Sequence, residues 1–302
     1  MTDAPEVPSA GRTTRGPETL PTPAVSVGAM FYSRVAADSA REAFRAPTHD
    51  GGWESWTWGR SAERVDELAA GLLGLGLRPE DRVAIAMTTR LEWIFIDLAV
   101  MVAGGATTTV YPSTQADDVA YIVSDSGSRF VVAEDAGQLR KLVAGRASMP
   151  AVEKVLLLDP AEVDLAAHGD GWVITVDALA AAGRSALSAD EGLVRRANDA
   201  VRPDHLATLI YTSGTTGRPK GVELTHSNWT YEGAGAEAIK LANRDQLHFL
   251  WLPLSHSFGK VLLAAQMQIG FTTAHPTHHL VAPRLLQHDP HVFMLSLKAC
   301  RV

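Results

Sequence analysis

Apolar runs of strand length take turns with apolar stripes at helical spacing from Ser61 to Tyr211, and this alternation excludes most folds before any single residue is weighed. Between Ser61 and Leu75, Val65, Leu68, Ala69, Leu72 and Leu73 recur at i, i+3 and i+4, with Gly76 and Pro79 behind them as stop signals, which predicts a helix. Val83–Met87 reads as a buried strand, Leu91–Ala103 as a helix and Thr107–Val110 as a β-branched strand. Ser113 or Thr114 is placed to cap a helix with Val119, Ile122 and Val123 on its apolar face, ending near Gly127 ahead of a strand at Phe130–Ala133. A helix near Gly137–Val143 and an apolar run at Val155–Leu158 continue the series. Asp159 to about Ala200 is less regular and is expected to be a connection between lobes, and Leu206–Tyr211 is the next strand. Strands alternating with helices predict an α/β fold with mixed sheets flanked by helices, and no repeat at solenoid period interrupts it.

Several function classes drop out on composition. The net charge of −7, from 34 acidic and 27 basic residues, comes without any Lys/Arg run that could track a phosphate backbone, so nucleic acid is not an expected partner. The single cysteine, Cys300, can form no internal disulfide and no cysteine zinc site, which suits a reducing compartment; the cytoplasm is the expected location. Residues 1–24 are rich in Pro, Thr, Gly and charge, lack the apolar core of a signal peptide and are expected to form a flexible arm. The longest apolar stretch, Trp93–Val110, contains Asp97, two glycines and three consecutive threonines. It falls short of the ~20 apolar residues that span a bilayer and reads as helix, turn, strand. No transmembrane segment is expected; peripheral contact with a membrane stays open, although no basic amphipathic helix marks it.

The segment that carries chemistry is Leu209–His226, LIYTSGTTGRPKGVELTH, in which an apolar strand runs into six Thr, Ser and Gly residues, then Arg-Pro-Lys-Gly, then a second β-like run. Gly214, Gly217 and Gly221 let the backbone come close to an anion with its N–H groups converging. Thr212, Ser213, Thr215 and Thr216 add hydroxyl donors, and Lys220 adds a compact positive charge able to follow a polyphosphate. The segment is not a P-loop, because Lys220 stands between Pro219 and Gly221 and leads into a strand instead of a helix.

YTSGTTGRPKG resembles the signature phosphate loop of the acyl-CoA synthetase, acyl adenylate and luciferase superfamily, the AMP-dependent synthetases and ligases. Trp251-Leu-Pro-Leu-Ser-His256-Ser-Phe-Gly259 is similar to that family's next segment, and the register from Trp56 through the run ending VVAED resembles the long-chain fatty acyl-CoA ligase branch. The resemblance covers about Val27 to Ala274. It implies the N-terminal lobes of the acyl-adenylate-forming fold and an acid–thiol ligase of fatty acid metabolism that uses ATP, Mg²⁺ and CoA. Carried over, Thr212 matches the threonine that helps hold Mg²⁺; Ser213, Gly214, Thr215, Thr216, Gly217 and Lys220 match positions that wrap the β- and γ-phosphates; His256 matches a histidine beside the acyl and adenylate pockets. Thr212 and Lys220 are the expected catalytic pair. Aryl or amino acid adenylation is the alternative substrate class.

From His275 the composition changes: His275, His278, His279, His288 and His291 fall together with Pro276, Pro283 and Pro290 and one acid, Asp289. This gives residues 25–274 as a partial AMP-binding domain and 275–302 as an aberrant or frameshifted tail, and no acidic or cysteine partner makes the histidines a metal site. The family's later motifs are missing from the chain, so it is expected to be a truncated form with little activity alone. A non-catalytic nucleotide or acyl-binding module and an inert fragment are the alternatives.

Overall fold

The computed structural model describes residues 19–48, 50–168, 170–212 and 217–275, and the backbone of 292–293. Most of the arm, the loop residues 213–216 and most of the histidine-rich tail lie outside them.

Helix α1 (Val27–Asp38) is capped by Ser26, whose hydroxyl accepts from the Ala29 amide. Strands β1 (Glu42–Pro47) and β2 (Trp53–Thr57) form an antiparallel hairpin that feeds α2 (Trp58–Gly74). This helix begins three residues before the predicted Ser61, because the Thr57 side chain accepts from Arg60 N and so closes the first turn there. There follow β3 (Arg82–Ala86), α3 (Leu91–Val102), β4 (Ala106–Val110), α4 (Ala116–Asp125), β5 (Phe130–Ala133), α5 (Ala136–Gly145) and β6 (Lys154–Leu157), each within two residues of its expected place. The cap expected from Ser113 or Thr114 is absent: Gln115 holds the N-cap position of α4 with no side-chain bond.

The stretch after Asp159 differs from expectation. It holds β7 (Val173–Thr175), α6 (Val176–Ala189) and α7 (Leu193–Asp199), and β7 pairs with β6, so the chain stays on the same sheet instead of crossing to another lobe. Strand β8 (Leu206–Thr212) and the antiparallel β9 (Lys220–Thr225) complete a seven-stranded sheet in the order β7-β6-β5-β3-β4-β8-β9. Then come α8 (His226–Ala238), β10 (Leu247–Phe249), α9 (Ser257–Ile269), β11 (Thr272–Ala274) and β12 (Val292–Phe293). A second sheet runs β12-β10-β11-β1-β2, with β1 and β11 parallel.

Alternation along the central strands builds two cores. Val83 and Ile85 face α1, α2 and α3, whereas Ala84 and Ala86 face α4 and α5 through Val119, Ile122, Val123, Leu139 and Leu142. Strand β4 is buried throughout although three of its five residues are threonines. Among the described residues no helix is long and apolar enough to cross a membrane.

Three buried histidines make the fold acid-sensitive. Burial pushes His226, His248 and His275 down to about 4 from the usual 6.5. Their folded-state values lie below the unfolded one, so the unfolded chain binds more protons between pH 4 and 6.5, and stability present at pH 7 is lost as the pH falls through that window. At pH 5 the loss should be about 2 kcal/mol per histidine, read as a lower urea midpoint at pH 5.0 than at pH 7.5. Equal midpoints would show that these rings are not buried neutral.

Candidate functional site

In an open, mainly parallel sheet, ligands collect outside the carboxyl ends of the strands where the winding reverses. Here β3 leads through α3 to its neighbour β4 on one side, and β4 leads through α4 back to β5 on the other side of β3. The chain therefore diverges to opposite faces after Ala86 and after Val110 and leaves a crevice between the two ends. The segment 87–92 and residues Tyr111, Pro112 and Ser113 line it. With Trp251, Pro253 and Ser255 opposite and Trp56 and Arg60 at the side, it widens into an open cleft of about 1390 Å³.

Beside that crevice, β8 and β9 form the hairpin that carries the Thr-, Ser- and Gly-rich loop. The register pairs Thr212 directly with Lys220, and both are exposed. A threonine hydroxyl and an ammonium thus flank the mouth of the loop, which places a donor and a positive charge on either side of any anion held there. Ser213, Gly214, Thr215 and Thr216 lie outside the described residues; Gly217 is exposed on the β9 side.

Gly221 has a packing reason within the hairpin. It sits within β9 opposite Tyr211, and a Cβ there would lie 3.1 Å from Tyr211 Cζ. The missing side chain makes room for an aromatic ring. The Tyr211 hydroxyl donates to Asp125 Oδ2 on α4 at 2.7 Å, and burial together with that carboxylate pushes the phenol up. The Arg218 guanidinium lies 4.8 Å from the centre of the Tyr121 ring, also on α4. Both legs of the hairpin therefore lean on one helix.

His256 is exposed and forms the N-cap of α9, with its Nδ1 accepting from the Phe258 amide at 3.2 Å. A ring that accepts through Nδ1 carries its proton on Nε2 when neutral, so the outward nitrogen is a donor. It stands at the start of this helix, in the turn after β10. Among the described residues no hydrogen bond joins it to Thr212 or Lys220.

One turn further along α9 is a pair with no sequence warning beyond Asp97 itself. Lys260 Nζ donates to both carboxylate oxygens of Asp97 on α3, at 2.7 and 2.9 Å, and lies 5.4 Å from each of the Trp93 and Trp229 ring centres. Burial lowers the lysine pKa against the pull of Asp97. Among the described residues no group of three His, Cys, Asp or Glu side chains could hold a metal ion.

Comparison with known proteins agrees with the geometry. Residues 31–297 match the family of AMP-binding enzymes. The chain is similar to the long-chain-fatty-acid–CoA ligase FadD15 of Mycobacterium bovis, 34% identical over 230 residues that make up 74% of this chain and 36% of that ligase. It is also similar to the long-chain-fatty-acid–CoA ligase heimdall of Drosophila melanogaster, 31% identical over 68% of this chain and 30% of that protein. The chain thus spans about a third of the length of these curated relatives. Its fold is shared with the crystal structure of the N-terminal domain of FACL13 from Mycobacterium tuberculosis, at a TM-score of 0.68 and 23% identity over 87% of this chain and 59% of that one. The match over most of its length, a mixed α/β fold of the N-terminal kind, and a glycine- and threonine-rich hairpin beside the switch-point crevice lead to one assignment: the chain belongs to the family of AMP-binding enzymes.

Proposed function

We propose that this chain is the phosphate-gripping N-terminal part of an ATP-dependent fatty acid–CoA ligase. The observation that carries the reading is the Thr212–Lys220 pair across the mouth of the hairpin, on a chain whose curated relatives bear the name long-chain-fatty-acid–CoA ligase. In the reaction a fatty acid carboxylate oxygen attacks the α-phosphorus of ATP, the bond to the β-phosphate oxygen breaks, and pyrophosphate departs. The CoA thiolate then attacks the acyl carbonyl carbon and AMP leaves.

Lys220 and the loop from Ser213 to Gly217 supply positive charge and N–H donors to the β- and γ-phosphates, where negative charge builds as pyrophosphate separates. Thr212 offers one neutral oxygen, which suits a single position on a Mg²⁺ ion otherwise held by phosphate oxygens and water, and the ion would neutralise the leaving group. His256, with a donor on Nε2, shapes the acyl and adenylate side without transferring a proton. The site of action is the cytoplasm, with contact at membrane surfaces where fatty acids are met.

With preorganised charges from this segment alone, turnover by the isolated chain is expected to be near background, while phosphate binding persists. Millimolar MgATP should raise the melting temperature of the wild-type chain by a few degrees through preferential binding to the folded state, and Lys220→Ala should abolish most of that shift. Fatty-acid-dependent exchange of pyrophosphate into ATP should stay within a few-fold of blank. A chain indifferent to MgATP sinks the reading, and one whose ATP response survives both Lys220→Ala and Thr212→Ala moves the site elsewhere.

A further inference from the structure

The turn that carries His256 has almost no main-chain support of its own. Leu252 and Pro253 follow the short strand β10, and α9 starts only at Ser257, so the backbone between them must be held from outside. Three of its polar groups are met by two threonines from the carboxyl ends of the large sheet. Thr89, three residues beyond β3, donates its hydroxyl to Leu252 O at 3.1 Å and accepts from Leu254 N at 3.1 Å. Thr109, within β4, donates to Ser255 O at 3.0 Å, and its oxygen lies 3.5 Å from Leu209 O in β8, the strand that leads into the phosphate hairpin.

The first bond pair has a particular form. One hydroxyl takes an N–H and gives a proton to a carbonyl two residues earlier, so Thr89 acts toward the turn as a neighbouring strand would. The turn in turn fixes the helix: His256 N donates to Pro253 O at 3.0 Å, and Gly259 packs so closely that a Cβ would lie 2.5 Å from Pro253 O. The position of the His256 ring is therefore set through a chain of three contacts that begins at the Thr89 hydroxyl, and Thr89 itself lines the cleft at the switch point.

We infer that Thr89 is a positioning residue for the acyl and adenylate side of the site, acting through the 252–256 turn on His256. This rests on the proposed role of His256. It also gives a reason for a hydroxyl at a position where an apolar residue would fit the cleft wall equally well: valine has the same shape but leaves Leu254 N and Leu252 O without their partner.

The test is binding by the full chain of a fatty acyl sulfamoyl adenosine, a stable mimic of the acyl adenylate, alongside MgATP. Thr89→Val should weaken the mimic about tenfold, as much as His256→Ala does, and leave MgATP affinity within twofold, while Thr89→Ser should bind like wild type. The double variant Thr89→Val/His256→Ala should be no weaker than His256→Ala alone, because one effect passes through the other. Thr89→Ala removes the same hydroxyl and leaves only a gap on the open cleft wall; it supplies the reading if the valine variant does not fold. Unchanged mimic affinity in the Thr89 variants alongside a weakened His256→Ala, or losses that add in the double variant, would overturn the inference alone. A wild-type chain that binds MgATP but not the mimic would refute the role of His256 and the inference with it, and one that binds neither would refute the proposed function.

Discussion

Asp97→Ala should remove roughly 3–5 kcal/mol from the stability of the fold, the loss expected when one partner of a buried ion pair is deleted and the other keeps its charge. Lys260 has 4% of its side chain exposed and Asp97 5%, and the ammonium lies 5.4 Å from each of two tryptophan ring centres, Trp93 and Trp229. The pair bridges α3, which lies on the seven-stranded sheet, and α9, which precedes β11 of the other sheet, so its loss should loosen one sheet from the other. Chemical denaturation of the wild type and the variant reads the difference. Asp97→Leu combined with Lys260→Met should recover most of it, since an apolar pair of similar volume needs no desolvation of charge. A single variant as stable as wild type would mean that Lys260 reaches solvent, and a double variant worse than the single would mean that the pair is net stabilising.

The second large effect is expected at Gly183. A Cβ built on this residue of α6 would lie 1.8 Å from the backbone oxygen of Glu67 on α2, and one built on Gly71 of α2 would lie 2.4 Å from the backbone oxygen of Leu179 on α6. The two helices touch backbone to backbone through both glycines. Alanine would add about 1 kcal/mol of helix propensity, but here it must push two helices apart against backbone atoms that cannot rotate away. Overpacking of that kind costs about 1–3 kcal/mol or more, so Gly183→Ala should be net destabilising by ~2 kcal/mol. Gly235 in α8 supplies the control, because nothing lies within 4 Å of its Cβ position; Gly235→Ala should stabilise by about 0.5–1 kcal/mol. Opposite signs in the two urea midpoints support the packing argument, and a stabilised Gly183→Ala would reject it.

Those two glycines also show why part of the fold was hidden in the sequence. The central elements were legible because their apolar residues are large: Phe130-Val-Val-Ala has only one reading as a four-residue run, and the strand lies there. Helix α6 buries Val176, Leu179, Ala180 and Gly183, a face of small side chains whose contrast with the other face is weak, so it reads as irregular although it packs more tightly than its neighbours. The same gap between residue type and use appears at Gly221, which serves the Tyr211 ring, and at Thr57, a cap that lies ahead of the apolar stripe it begins. Asp97 was visible as the one charge in the apolar stretch Trp93–Val110, and a buried charge requires a partner; nothing in the local pattern named Lys260, 163 residues away. The hairpin was plain from composition, since hydroxyls and glycines between two β-like runs have few other uses. Thr89 and Thr109 carried no signal, because a threonine that substitutes for a missing strand looks like any other.

The pairing of β1 with β11 also bears on how the chain is made. Thr272 Oγ donates to Glu42 O across 230 residues of sequence, and Phe44 sits opposite Thr273 in the same parallel pair. At synthesis rates of about 5–20 residues per second, β1 leaves the ribosome some tens of seconds before its partner exists. During that interval one edge of the β1–β2 hairpin carries unpaired amides and carbonyls, while the seven-stranded sheet can assemble from strands already at hand. Synthesis therefore divides the molecule in time: one sheet closes as it emerges, and the other waits with an open edge that a chaperone must shield or a neighbouring nascent chain can capture.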